Sequence, residues 1–102
     1  MFNKYAFIDD LKESIVDAIE NEEIKEHYDL IEFICEELER KTTYYGECFD
    51  IVKGCNFTNW SDLDYEIKCI SSAAFAALKE LIDEEIDYDY FNKLIQEKQE
   101  NE

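Results

Sequence analysis

Twenty-seven carboxylates in 102 residues make paired acids the commonest chemical grouping in this chain. Their abundance makes them a poor catalytic signal. A general acid needs a pKa raised by burial or by a close neighbour, and no carboxylate here is marked in that way. Glu23 and His27 stand four apart and have the residue types to share a metal ion, but a surface i,i+4 pair on an acidic helix is the simpler reading. Asp62-Leu63-Asp64-Tyr65-Glu66 has the alternating acids of a calcium loop without its glycine or its distal spacing. Cys35, Cys48, Cys55 and Cys69 contain no C-x-x-C pair and lie apart from the single histidine, so zinc spacings fail. They lie mostly on apolar stripes or next to them and are expected as small core residues in a reducing compartment. No glycine-rich phosphate loop is present. An enzyme is not expected, and no catalytic residue, metal or cofactor is assigned.

The acids are nevertheless ordered. Asp10, Glu13, Asp17 and Glu20 follow a 3-4-3 spacing, and Asp29, Glu32, Glu36 and Glu39 repeat it. Glu80, Asp83 and Asp87 do so again, with Glu84 and Glu85 alongside. Residues three or four apart share one helical face, so each set forms a ridge of carboxylates. Neighbouring like charges cost a few tenths of a kcal/mol per pair. A charged outer face is ordinary for an amphipathic helix, and negative charge aids solubility, yet neither accounts for the single sign. The net charge of −17 matches the phosphates of about 29 Å of duplex DNA. A compact domain of this length has a radius of gyration of ~13 Å, so a compact chain would approach DNA in charge per unit length. The expected partner is a strongly basic protein surface, with no direct nucleic-acid binding.

The elements that must carry these ridges are helices. Proline is absent and glycine occurs twice, too few for a chain of tight turns. Apolar spacing predicts helices over about 4–21 (Ile8, Leu11, Ile15, Ala18, Ile19) and 23–40 (Ile24, Tyr28, Ile31, Ile34, Cys35, Leu38). A third is predicted over about 43–53 (Tyr45, Cys48, Phe49, Val52), capped by Thr42 or Thr43 and stopped by Gly54. Residues 55–66 read as an irregular connection. A long helix follows over about 67–86 (Ile67, Ile70, Ala74, Ala77, Leu78, Leu81), whose run of small residues suggests a close crossing. A last helix over about 88–98 carries Phe91, Leu94 and Ile95, with a frayed tail from about 97. The fold class is all-α: a single small domain of about five helices with acidic outer faces. No apolar run reaches membrane-spanning length and no secretory signal opens the chain, so a cytoplasmic location is expected. Acid is sparsest around the third helix, where Tyr44, Tyr45, Phe49 and Val52 form a candidate homodimer patch.

Tyr44-Tyr45-Gly46-Glu47-Cys48-Phe49-Asp50-Ile51-Val52 precedes Phe57-Thr58-Asn59-Trp60-Ser61-Asp62 and then Ile70-Ser71-Ser72-Ala73-Ala74-Phe75-Ala76-Ala77-Leu78-Lys79-Glu80-Leu81. Over roughly 44–95 this order resembles the Ocr-like phage DNA-mimic anti-restriction family. The resemblance implies an acidic helical dimer that occupies the DNA groove of a host restriction or related defence enzyme. Lys93 and Lys98 depart from the dense acidic tail of that family. The expected mechanism is competitive occupation of a basic groove by Asp10, Glu13, Asp17, Glu20, Asp29, Glu32, Glu36, Glu80, Asp83, Glu84 and Asp87. The alternative is an immunity- or antitoxin-like inhibitor, or an adaptor, that binds one basic protein without mimicking DNA.

Overall fold

A computed structural model describes residues 2–55 and 70–100, which form five helices and no strand. They are α1 (Lys4–Glu20), α2 (His27–Lys41), α3 (Tyr45–Gly54), α4 (Ile70–Glu85) and α5 (Tyr88–Glu100). The chain is all-α. Expectations for Phe57, Trp60, Ser61, Asp62 to Glu66, Ile67 and Cys69 lie outside the described residues.

Helix α1 follows its sequence pattern closely. Asn3 Oδ1 accepts from the backbone N–H groups of Tyr5 and Ala6 at 3.0 and 3.1 Å, a cap worth about 1 kcal/mol. Ile8, Leu11, Ile15, Ala18 and Ile19 are all buried. The helix closes with a Schellman motif: Glu23 N–H donates to Ala18 O at 2.9 Å and Glu22 N–H to Ile19 O at 3.2 Å. Glu22 therefore takes a left-handed φ of 64°, a conformation that costs a non-glycine residue roughly 1 kcal/mol. The turn is made with neither glycine nor proline, and α2 begins at His27 rather than near Glu23.

Helix α2 buries Leu30, Ile34 and Leu38. Ile24 is buried ahead of the helix, but Tyr28, Ile31 and Cys35, expected in the core, are exposed. Thr42 and Thr43 do not cap α3. Their hydroxyls donate backwards, Thr42 to Leu38 O and Thr43 to Glu39 O, each at 2.9 Å, and close the end of α2. In α3, Cys48, Ile51 and Val52 are buried while Phe49 faces out. Gly54 is the last helical residue rather than a left-handed stop. Its missing side chain is explained by Phe2, whose carbonyl oxygen would lie 2.9 Å from a Cβ at that position.

Helix α4 is central, packing on α3 and on α2, while α1 lies along α5. Its buried Ala73, Ala74 and Ala77 leave room for a close approach, and Leu78, Leu81 and Ile82 complete that face. All five helices contribute to one contiguous apolar core. Asp87 opens α5 by accepting from Tyr90 N–H at 3.2 Å. Phe91 and Ile95 are buried, and Leu94 is half-buried. The helix continues to Glu100 instead of fraying near residue 97, and the Gln99 amide donates to the Lys25 carbonyl, tying this end to the start of α2.

The molecule measures 48 × 26 × 20 Å with a radius of gyration of 15.0 Å, longer than a compact chain of its length. Seventeen net charges along 48 Å give one per roughly 3 Å, against ~1.7 Å for duplex DNA and ~3.4 Å for one strand. Elongation thus lowers the charge density from near-duplex to that of about a single strand. Among the described residues no helix is long and apolar enough to cross a membrane.

Candidate basic-partner interface

Each acidic ridge is placed by the apolar stripe behind it. At about 100° per residue, burial of Ile8, Leu11, Ile15 and Ala18 turns Asp10, Glu13, Asp17 and Glu20 to the opposite side of α1, where all four are exposed. Burial of Leu30, Ile34 and Leu38 likewise turns Glu32, Glu36 and Glu39 outward on α2. Glu80, Asp83 and Glu84 are exposed on α4, and Asp87 is exposed just beyond it. Among the described residues the only ion pair is Arg40–Glu37 at 2.7 Å, and Glu37 belongs to none of the predicted ridges.

Three predicted ridge residues also have structural roles. Asp29 is half-buried and accepts from Lys25 N–H at 3.0 Å, which helps close the start of α2. Asp87 caps α5. Asp83 accepts from the Tyr88 hydroxyl at 3.2 Å. The Tyr88 phenol is pushed up to about 12, first by burial and then by the neighbouring Asp83 carboxylate. The carboxylates left to face a partner are Asp10, Glu13, Asp17 and Glu20 on α1, Glu32 and Glu36 on α2, and Glu80 and Glu84 on α4.

The proposed dimer patch needs correction. Tyr44 and Phe49 are 68% and 55% exposed, but Val52 is only 7% exposed and belongs to the core; the side chain of Tyr45 lies outside the described set. At residues 44–52 the helical turn puts Val52 on the face of Cys48 and Ile51, so Val52 cannot serve an outer patch. The Glu23–His27 pair is also not a helical pair, because Glu23 precedes α2. His27 Nδ1 instead lies 3.1 Å from Asn92 Oδ1 on α5. No cluster of three or more metal-ligating side chains occurs among the described residues. Of the cysteines, Cys48 is buried and lies 3.4 Å from the Thr42 carbonyl oxygen, to which its thiol donates. Cys55 is half-buried, and burial pushes its thiol pKa up. Cys35 is exposed.

The ridge reading did not anticipate a cleft of about 460 Å³ between α2 and α4, lined by Ile31, Cys35, Phe75, Lys79 and Ile82 and by Tyr88 of α5. The signal was present in α2. Its apolar residues Tyr28, Leu30, Ile31, Phe33, Ile34, Cys35 and Leu38 span more of the helix than one neighbour can cover.

No protein-family model matches the chain, and neither a curated protein nor a solved structure matches it.

Proposed function

We propose that the protein is a DNA mimic that occupies the basic DNA-binding groove of a restriction or related defence enzyme. One observation carries this reading: outward ridges of a single sign stand on three helices, with none of their carboxylates in an ion pair among the described residues. An ordinary solvated face mixes signs and pairs them. Along α1 the ridge advances ~5 Å per carboxylate, close to the ~3.4 Å per phosphate of one DNA strand. A basic groove that tracks a phosphate backbone meets a comparable row of oxygens. Opposite charge steers the encounter, so association is fast and falls steeply with salt. The ridge carboxylates act collectively, and removing one changes affinity little. A homodimer would extend the charged length.

The test neutralises the α1 ridge without changing its shape: Asp10→Asn, Glu13→Gln, Asp17→Asn and Glu20→Gln together. Relief of like-charge repulsion leaves the fold intact or slightly more stable. Affinity for a DNA-binding enzyme captured from bacterial lysate is expected to fall about 100-fold, and its salt dependence to flatten. Unchanged affinity in a folded variant would overturn the assignment of this ridge to the contact.

A further inference from the structure

We propose that the α2–α4 cleft is a docking site for an amphipathic helix of a protein partner, one with an apolar face and a basic edge. The inference does not rest on DNA mimicry, because it concerns a surface no phosphate backbone would use.

Three observations converge. The first is shape and chemistry: the cleft runs between two helices, with Ile31, Phe75 and Ile82 among its lining residues and a volume of about 460 Å³. A groove of this kind takes the apolar face of a helix, read as anchors one turn apart. The second is exposure. Ile31 is 37% exposed on the α2 bank and Cys35 is exposed beside it, while Tyr28, just outside the lining, is 69% exposed. Burying such a flank is favourable in proportion to its apolar area.

The third observation identifies the occupant, through charge. At about 100° per residue, Glu32 and Glu39 stand on the rim beyond Tyr28 and Cys35, and both are exposed. On the opposite bank Asp83 lines the cleft and accepts from the Tyr88 hydroxyl, beside Lys79. An apolar floor beside the acidic α2 rim complements a helix with lysine or arginine along the edge of its apolar face that lies against α2. Lys79 favours an acceptor side chain on the edge of the incoming helix that lies against α4. A second copy of this chain would bring acid against acid, and an anionic amphiphile would meet the same repulsion.

Cys35 is the reporter. It lines the cleft and is exposed, whereas Cys48 is buried and Cys55 half-buried. The full-length protein is treated with a thiol alkylating agent, and modification at Cys35 is followed by peptide mass spectrometry. The probe is an 18-residue leucine–lysine peptide with its leucines on one helical face; the control has the same composition scrambled so that no apolar face forms. The amphipathic probe is expected to slow Cys35 alkylation about 10-fold at saturation, and the scrambled control to leave it nearly unchanged. Ile31→Glu separates the groove from bulk charge. It adds a negative charge at a partly exposed position, so binding by charge alone stays the same or tightens, whereas seating in the cleft weakens about 10-fold. Equal protection by both peptides, no protection by either, or undiminished binding by Ile31→Glu would overturn the proposal. So would Cys35 protection that rises with the protein's own concentration when no peptide is present, since that would assign the cleft to a second copy.

Discussion

Helices α1 and α2 are built to the same plan, and only α1 completes it. On α1 the five apolar positions of the stripe are buried and every ridge carboxylate faces solvent, and the one large apolar side chain left exposed is Tyr5 in the first turn. On α2 the stripe and the ridge are again opposed, but Tyr28, Ile31 and Cys35 form a third face between them that remains exposed. The difference arises from the neighbours. α1 lies along α5, while α2 packs on α4 with a cleft left along one side. The comparison separates two kinds of surface that composition alone would merge: a charged face suited to diffuse, salt-sensitive contact, and an apolar slot suited to a local anchor.

The sharpest way to break this comparison is to substitute adjacent residues on α2. Leu30 is fully buried, and Leu30→Ala is expected to destabilise the protein by roughly 2–5 kcal/mol. Ile31, at 37% exposure, is expected to lose under about 1 kcal/mol as Ile31→Ala. Denaturant midpoints of the two variants measure the contrast. Similar losses would mean that the third face is part of the core. A smaller effect concerns the end of the cleft. Tyr88 has its phenol raised to about 12 in the folded protein, mainly by burial and secondarily by Asp83, against ~10 in an unfolded chain. The folded state thus favours the neutral phenol. Its contribution to stability is complete below pH ~10 and is lost as pH rises from ~10 towards ~12. NMR titration should place the Tyr88 midpoint near that upper value and lower it in Asp83→Asn. An unshifted midpoint in that variant would remove Asp83 as a cause.

Much of this architecture was legible in the sequence because it depends on short-range periodicity. The five buried positions of α1, the alanine-rich face of α4 and the outward ridges all follow from 3.6-residue spacing alone. What was not legible depends on which neighbour arrives. Leu30 is buried while Tyr28 and Cys35 are exposed, and a stripe of so many apolar residues does not specify its own centre. The break near residue 21 was legible, but its extension to His27 was not, because Glu22 adopts a conformation normally marked by glycine. Gly54 marks the end of α3 as its residue type suggests, but without a left-handed φ, and its lack of a side chain makes room for Phe2. Asp29, Asp83 and Asp87 resembled the other ridge acids, and only the fold revealed their backbone and tyrosine partners.

The central claim is competition with DNA for a basic groove, and the most direct measurement is a pull-down by the tagged protein from bacterial lysate with and without excess duplex DNA. The account predicts that a DNA-binding defence enzyme is retained and that duplex DNA displaces it. Retention of a partner that duplex DNA does not displace would contradict mimicry.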